Sequence, residues 1–316
     1  MTSNEPAPIL LFVYQRPDHT RRTLEALKNN DLANLSTLYI YSDGPKDGAG
    51  EANHQKIQEV RKIIREKKWC KEVYIIESTT NKGLANSIIS GVSEKVNEFG
   101  KVIVLEDDLL TSKGFLKFMN NALDRYLLDE KVMQISGFQF PLDLQDSGSS
   151  LFLSFASSWG WATWKRAWNH FDPLAFGYER LKTDVSLSRK FNIENSFPYT
   201  SMLFDQMEKK NINSWAIRWW WSLFTKDGLC LFPDKSLIKN IGYGADASHT
   251  SGADPFSPTN FDSNYYIKSF PTEIEIDLNH TLALQNLLKR NSANGRKILK
   301  FLRQCKSKLN QFFKSK

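Results

Sequence analysis

The sequence predicts an α/β protein in which a mostly parallel sheet is flanked by helices and followed by a C-terminal amphipathic helical tail. Over the first two thirds of the chain, short β-rich runs alternate with helical patterns, which is typical of parallel strands joined by helices. The run 102–105 is entirely apolar, as a central parallel strand should be. With 316 residues, of which 41% are hydrophobic, the chain can bury one large core or two modest ones.

Each predicted element rests on its own local pattern. Strands are expected where apolar residues run between turn signals such as Asp43-Gly44-Pro45, and helices where apolar residues recur every three or four positions. In chain order, the pattern predicts strand 8–14, helix 17–29, strand 37–42, helix 51–68, strand 72–77, helix 83–99, strand 102–105, helix 112–128 and strand 132–136.

Past residue 140 the alternation weakens, and eight of the nine tryptophans lie there. We expect these rings mainly to fill a core, because each buries a large apolar area; stacking on sugar faces is the alternative. The chain is expected to divide into one domain over 1–277, with halves 1–140 and 141–277, and a tail over 278–316.

The location of the charge limits the partners. The formal net charge is +7, but the residues from Leu278 onward contain ten Lys or Arg and no acid, so +7 minus ten leaves −3 on the body. A nucleic-acid-binding domain usually carries its basic surface on the folded body. No nucleic acid is therefore expected as a partner.

The sequence also predicts the compartment. Its longest apolar runs fall far short of the ~20 residues that a membrane-spanning helix needs, and no basic stretch precedes the first of them as in a secretory signal. Cys70, Cys230 and Cys305 are widely spaced, which suits neither a disulfide framework nor a zinc site. We expect a reducing, cytoplasmic location.

The sharpest chemical signal is a run of three acids, Glu106, Asp107 and Asp108, directly after the apolar strand. The carboxyl ends of strands are where open α/β sheets bind ligands. Carboxylates suit Mg²⁺ or Mn²⁺, and such an ion needs only one or two of them when phosphates supply the remaining ligands. The alternative is that these acids merely cap the helix that begins near Ser112.

Other polar residues are expected at the same sheet edge. Asp43 follows the second strand and is placed to accept hydrogen bonds from a base or ribose, or is simply a turn residue before Gly-Pro. Arg16 follows the first strand and is placed to meet a uracil or a phosphate, or is a surface charge. Lys82 and Asn86 lie where a helix begins, which favours an anion, although the same residues make an ordinary cap. No Walker loop or Gly-x-Gly-x-x-Gly motif is present, which disfavours kinase and nicotinamide functions.

A base and a closing loop are also needed if a hydroxyl attacks an activated sugar. Asp205 lies among apolar neighbours and is a candidate base, with an exposed helix residue as the alternative. Asp246 and His249 lie in the Gly- and Ser-rich stretch 241–258, which predicts a mobile loop that closes over the site. A lone His is usually not a metal ligand, so that role for His249 depends on closure.

Together these motifs resemble the GT-A (Rossmann-like) glycosyltransferases over about residues 8–250. The nearest likenesses are the bacterial family 2 enzymes of surface-polysaccharide synthesis and the Golgi alpha-mannoside beta-1,2-N-acetylglucosaminyltransferase. The resemblance rests on Leu11-Phe12-Val13-Tyr14-Gln15-Arg16-Pro17 with Arg21-Arg22-Thr23-Leu24, Ser42-Asp43-Gly44, Val104-Leu105-Glu106-Asp107-Asp108-Leu109, Phe115-Leu116-Lys117-Phe118 and, more loosely, Gly160-Trp161-Ala162-Thr163-Trp164.

The resemblance implies an inverting transferase that uses a nucleoside-diphosphate sugar, usually linked to uridine, with Mn²⁺ or Mg²⁺. It assigns the metal to Asp108, and the ribose and donor sugar to Glu106 and Asp107. It also implies that Arg16 and Asp43 hold the nucleotide, that 1–140 is the nucleotide-sugar half, and that 141–277 is the acceptor half.

One departure concerns the base. The stretch Trp215-Ala216-Ile217-Arg218-Trp219, which aligns approximately with the catalytic carboxylate of the Golgi enzyme, contains no acid. Asp205 follows Asp108 at a separation similar to that in other family 2 members and is our first candidate, with Asp246 second. A nucleotidyltransferase and a non-catalytic nucleotide- or carbohydrate-binding module are the alternatives.

The C-terminal tail has the pattern of a helix that binds a membrane surface. Residues 294–313 place apolar side chains at helical spacing with Lys and Arg elsewhere around the helix, the pattern of a helix that lies on an anionic membrane surface. This predicts a peripheral protein on the inner face of the cytoplasmic membrane, near a glycan or lipid-linked acceptor. The alternative is that the apolar stripe packs on the domain or on the second subunit of a homodimer.

Overall fold

The computed structural model describes residues 5–142, 144, 147–243, 256 and 261–291. Asp246, His249, the loop 244–252 and the predicted amphipathic segment 294–313 lie outside these residues. Within the described part of the chain, no helix is both long enough and apolar enough to cross a bilayer.

The first half of the chain alternates strands with helices, as the sequence predicts. Its elements are β1 (Ile9–Val13), α1 (Pro17–Lys28), β2 (Thr37–Ser42), α2 (Glu51–Ile63), β3 (Glu72–Glu77), α3 (Leu84–Phe99), β4 (Lys101–Glu106), β5 (Leu109–Thr111), α4 (Phe115–Arg125) and β6 (Val132–Ser136).

The second half contains shorter elements. They are β7 (Ser150–Leu153), β8 (Trp161–Trp164), α5 (Lys165–Trp168), α6 (Val185–Phe191), α7 (Tyr199–Met207), α8 (Trp215–Phe224), β9 (Leu229–Pro233), β10 (Ile238–Asn240) and a helix, α9, that begins at residue 278 and continues to the last described residue, 291. Two short 3₁₀ turns, Ala33–Leu35 and Tyr178–Lys182, complete the described part.

Eight strands form one sheet in the order β3-β2-β1-β4-β8-β6-β9-β7, and β5 pairs with β10 separately. The pairs β3-β2, β2-β1, β1-β4 and β6-β9 are parallel, whereas the three pairs that involve β8 or β7 are antiparallel. The predicted α/β class with a mostly parallel sheet flanked by helices is confirmed. β1 is buried at every position because it lies in the sheet interior between β2 and β4.

Two predicted helices are too long, and each has a local reason. α2 ends at Ile63 rather than at residue 68, because the chain turns to insert Trp69 into the core, where the indole N–H donates to the Ile64 carbonyl at 3.1 Å. α4 begins at Phe115 rather than at residue 112, because Leu109–Thr111 pairs with β10 instead. The sequence analysis also missed β5 and β7 to β10, which are short and lack a clear alternation.

The tryptophans fill the core of the second half, as expected. Eight of the nine are at most 4% exposed, and only Trp159 is half-buried. Trp161 stacks on Trp215 with ring centroids 4.8 Å apart, which fastens α8 to the sheet. The indole N–H of Trp219 donates to the buried amide oxygen of Gln134 at 2.6 Å, so its polar atom is paired as well.

The beginning of the predicted tail packs on the domain. The Asp277 carboxylate accepts the backbone N–H of His280 at 2.9 Å and so caps the start of α9. Leu284 and Leu288 are each 1% exposed and belong to the core. The division of the chain at residue 278 stays a prediction, but α9 is joined to the domain through these two leucines.

Candidate functional site

The three acids lie at the carboxyl end of β4, where the sequence analysis places them. Glu106 is the last residue of β4 and is paired in register with Phe12 of β1, while Asp107 and Asp108 follow in a turn. Because β1, β2 and β4 are parallel, the residues that follow each strand meet at one sheet edge. The acids, Arg16 and Asp43 therefore share this edge.

Arg16 is the cation that faces the acids. Its guanidinium Nη1 lies 2.8 Å from Oδ2 of Asp108 and 3.6 Å from Oδ1 of Asp107. All three side chains are at most 16% exposed, so this interaction is screened less than a surface pair. The sequence analysis placed Arg16 at this edge but did not foresee that it would pair with the acids.

Burial and mutual repulsion perturb two of the carboxylates. Burial, followed by the charge of Asp108, raises the pKa of Asp107 to about 7, although Arg16 and the Tyr14 N–H oppose the change. Burial, followed by the charges of Asp108 and Asp107, also raises the pKa of Glu106 well above its usual value. Three carboxylates lie near one guanidinium, and the raised pKa values mean that protonation relieves part of their mutual repulsion when no other cation is bound.

The donor set fits a divalent cation that shares its coordination with a ligand. Asp107 and Asp108 offer hard carboxylate oxygens, and their excess charge favours a cation. No group of three or more His, Cys, Asp or Glu side chains with metal-binding geometry occurs among the described residues. The site therefore suits an ion that takes most of its ligands from phosphates and water, as Mg²⁺ often does.

A backbone segment covers Asp108 from the side of β10. The N–H of Ile241 donates to the Asp108 carbonyl at 2.8 Å, and Nε2 of His19 lies 3.0 Å from the Ile241 carbonyl. A Cβ atom built on Gly242 would lie only 2.1 Å from Oδ2 of Asp108. Only a glycine therefore allows the segment to lie against this carboxylate. Neither His19 nor Gly242 was predicted from the sequence; the Gly-rich composition of 241–258 is a signal for Gly242 alone.

Asp43 is fully engaged by the chain itself. Its two carboxylate oxygens accept hydrogen bonds from the backbone N–H groups of Gly44, Lys82 and Gly83 and from the side-chain amide of Asn81, at 2.8–3.0 Å. Four donors fill the four acceptor positions of a carboxylate. This is the turn-and-cap role that the sequence analysis gave as the alternative, and a nucleotide would have to displace one of these donors.

The residues at the start of α3 are exposed. Lys82 and Asn86 are both exposed, and the Asn86 amide donates to the Lys82 carbonyl at 2.9 Å. The carboxylate of Asp43, rather than an external anion, accepts the N–H groups before α3. The roles of Lys82 and Asn86 in donor binding stay predictions.

Asp205, the first candidate for the base, lies on α7 in the second half of the domain. Its carboxylate pairs with Lys209 at 2.7 Å and its side chain is 32% exposed, so it lies between the buried base and the exposed helix residue that the sequence left open. It lies three residues, or about one helical turn, after Met202, which lines a cavity described below. Its role as a base stays a prediction, as do those of Asp246 and His249.

The fold and the site together define an α/β protein with an acidic, partly buried site at the carboxyl edge of a mostly parallel sheet. No protein-family model matches the chain. No curated protein matches it either.

Among solved structures, the chain is similar to mouse xyloside xylosyltransferase 1 in its apo form, with a TM-score of 0.37 and 12% identity over 70% of this chain and 82% of that one. It is similar to a UDP-glucose pyrophosphorylase complexed with UDP-glucose, with a TM-score of 0.32 and 11% identity over 52% and 79%. For TarS of S. aureus, the TM-score is 0.26, with 13% identity over 40% and 21%. Likeness at this level leaves the function to be argued from the site.

Proposed function

We propose that this chain is a metal-dependent glycosyltransferase of the GT-A fold that moves a sugar from a nucleoside-diphosphate sugar to a hydroxyl group. The observation that carries the proposal is the partly buried cluster of Glu106, Asp107 and Asp108 after β4, in which burial and mutual repulsion raise the pKa of Glu106 and Asp107 although Arg16 pairs with Asp107 and Asp108. Such a site favours an added cation, and it lies at the edge where open α/β sheets bind ligands. The choice of a UDP-linked donor rests on the resemblance of the sequence motifs.

Asp108 would hold Mn²⁺ or Mg²⁺ together with the two phosphates, with His249 as a further ligand and with Glu106 and Asp107 facing the ribose and the donor sugar. When bound, the cation supplies neutralisation of the charge that builds on the departing diphosphate. Arg16 would then exchange the carboxylate of Asp108 for a phosphate oxygen, because a guanidinium pairs with either oxyanion in the same fork geometry. Arg16 thus stays paired in both states.

The acceptor hydroxyl has to lose a proton to a base. We propose Asp205 for this role, because its carboxylate is one-third exposed and lies on the helix that also lines the cavity beside the site. Asp246 is the second candidate. With either base, attack on the face opposite the diphosphate inverts the sugar carbon.

In the cell, we propose a role in bacterial surface-polysaccharide synthesis, with a glycan or lipid-linked acceptor. The tail 278–316, through its amphipathic segment 294–313, would hold the protein on the inner face of the cytoplasmic membrane, since each basic residue near an anionic surface contributes about 1 kcal/mol. The charge distribution supports this proposal, because the ten basic residues from Leu278 onward are matched by no acid.

A thermal-shift panel of nucleotide sugars with and without Mn²⁺ tests the function. A donor at 100 times its Kd stabilises the folded protein by about 2.7 kcal/mol. Asp108→Ala should abolish the metal-dependent shift. Asp124→Ala is the matched control, because Asp124 pairs with Lys101 at the other end of β4 and should leave the shift intact.

A full metal-dependent shift in Asp108→Ala would reject the metal site. Product analysis then separates the enzyme classes: slow release of UDP from the donor identifies a glycosyltransferase, and pyrophosphate formation identifies a nucleotidyltransferase. Neither product would accumulate with a non-catalytic binding module. Asp205→Asn should bind donor normally but fail to transfer, and normal turnover in that variant would eliminate it as the base.

A further inference from the structure

An apolar cavity of about 200 Å³ lies in the second half of the domain, between α7, α8 and the loops that flank β7 and β8. Its walls are mainly aromatic and include Phe138, Phe140, Phe155, Trp159, Tyr199 and Trp220. No charged side chain is among the described residues that line it. A phosphate or a carboxylate would therefore be left unpaired there, and the cavity suits a neutral group.

The walls form a continuous set of ring contacts. Phe138 meets Trp159 edge to face at 4.6 Å, and Phe155 lies 5.5 Å from both Tyr199 and Trp220. Aromatic faces and edges of this kind bind flat or chain-like apolar groups without directional hydrogen bonds. Burial raises the pKa of the Tyr199 hydroxyl, which therefore stays neutral.

The backbone that leads into one wall of the cavity is strained. Three consecutive non-glycine residues, Ile193, Glu194 and Asn195, have φ between 50° and 58°, a conformation that is unfavourable for L-residues. They lie two residues before Phe197 and four before Tyr199, both of which line the cavity. Strained backbone of this kind clusters at binding sites, where the surrounding structure enforces it.

The cavity adjoins the acidic site. β4 and β6 both run antiparallel to β8, so the ends of β4 and β6 and the start of β8 lie at one sheet edge. Phe138 follows β6 and Trp159 precedes β8, which places both residues at the edge that carries the acids. The rings of Trp159 and Tyr243 lie 6.1 Å apart, edge to face. Tyr243 directly follows Gly242, which lies against the Asp108 carboxylate. The ring of Tyr243 and the backbone of Gly242 thus connect Trp159, in the cavity wall, to Asp108.

We propose that this cavity binds the neutral, apolar part of the acceptor, an aryl ring or a segment of hydrocarbon chain, attached to the hydroxyl that receives the sugar. The assignment to an acceptor rests on the proposed function; the binding of an apolar group rests on the cavity alone. An engineered protein cavity of about 150 Å³ holds benzene, so about 200 Å³ is sufficient for one ring.

Phenyl β-D-glucoside and methyl β-D-glucoside are the probes, titrated into the full chain by calorimetry and by tryptophan fluorescence. The phenyl compound should bind about ten- to a hundredfold more tightly, since burial of one ring accounts for that ratio. Fluorescence should change because Trp159 and Trp220 line the cavity. Equal affinity for the two glucosides would overturn the proposal. The same result is expected if the chain's own residues fill the cavity, so that outcome also counts against the proposal.

Two variants locate the bound ring. Ala216→Leu on α8 and Ala156→Leu on the facing loop each place a larger side chain in the cavity, and both alanines are half-buried. Either should reduce the phenyl preference about tenfold or more. Ala52→Leu, on the exposed side of α2, is the matched control. An unchanged preference in both cavity variants, each shown to be folded, would overturn the assignment.

The donor panel run on the same variants distinguishes this proposal from the proposed function. A metal-dependent donor shift without a phenyl preference would reject the cavity as an acceptor site and leave the transferase intact. The opposite result is also informative: the protein prefers the phenyl compound, Ala216→Leu abolishes this preference, and no donor causes a thermal shift. That result would reject the transferase and the acceptor assignment but retain a binding site for neutral apolar groups.

Discussion

Substitution of Gly242 tests how closely the backbone lies against Asp108. A Cβ atom at this position would lie 2.1 Å from Oδ2 and 2.9 Å from Cγ of Asp108, so some part of the structure has to move. The same oxygen, Oδ2, is paired with Arg16 at 2.8 Å, and the Ile241 N–H donates to the Asp108 carbonyl. Either the ion pair or the backbone hydrogen bond has to yield.

The expected cost of Gly242→Ala follows from these contacts. Overpacking of a close-packed site destabilises by about 1–3 kcal/mol. In an Asp108→Ala background the colliding oxygens are absent, and the nearest remaining atom is Oδ1 of Asn240 at 3.1 Å, which is tight but tolerable. We expect Gly242→Ala to cost about 2 kcal/mol in the parent protein and less than about 1 kcal/mol in the Asp108→Ala background.

Urea denaturation of the parent, both single variants and the double variant measures this coupling. The slopes of the four transitions should agree, so that differences in midpoint report stability. A coupling energy of about 1–2 kcal/mol is expected, because the two side chains compete for one space. Costs that add within about 0.5 kcal/mol would show that Gly242 does not lie against Asp108, and the picture of a covered acidic site would be wrong.

Three further predictions concern other parts of the molecule. The raised pKa of Asp107, about 7 against an ordinary 3.8, means that the native state binds more protons than the unfolded state between these pH values. Without added metal, Asp107 should therefore lower the free energy of unfolding by up to about 1.4 kcal/mol per pH unit as pH rises from about 4 to 7, in addition to the contribution of Glu106, whose pKa is also raised. Asp107→Asn should reduce this slope in denaturation curves, and an unchanged slope would contradict the assignment. Gly44→Ala should destabilise the protein by about 1–3 kcal/mol, because the added Cβ would lie 2.6 Å from the Thr80 backbone nitrogen. Gly50→Ala is the control and should be nearly neutral, since the space around Gly50 is open. Equal urea midpoints for the two variants would refute the close approach. Burial raises the pKa of the Cys70 thiol to about 12 and also raises that of Cys230, so in a Cys305→Ser variant thiol reagents at pH 8 should label these two residues only on unfolding. Rapid labelling of Cys70 in the native protein, located by peptide mapping, would show that this thiol is accessible.

The sequence was most informative where local patterns and packing agree. The strands β1 to β4 and the helices between them were predicted within a few residues, because each strand is a short apolar run between turn residues and each helix has a regular apolar face. The position of the acids after β4 followed from the same pattern, since parallel strands bring their carboxyl ends to one edge.

The sequence was least informative in the second half of the domain. The strands β7 to β10 have three to five residues each and are almost entirely buried, so they show no alternation. Their pairing depends on partners that are distant in the chain, such as Leu151 with Phe232. Short buried runs cannot be told apart as strand or helix without those partners.

What the sequence by itself determined is the α/β class, the order of the first elements, the aromatic core of the second half and the charge of the acidic edge. Only the tertiary structure decided that Arg16 pairs with Asp108, that Asp43 is satisfied by the start of α3, and that Gly242 lies against the acids. The physical reason is that class and burial follow from local periodicity, whereas ion pairs and close backbone approaches depend on the distance between segments that are far apart in the chain.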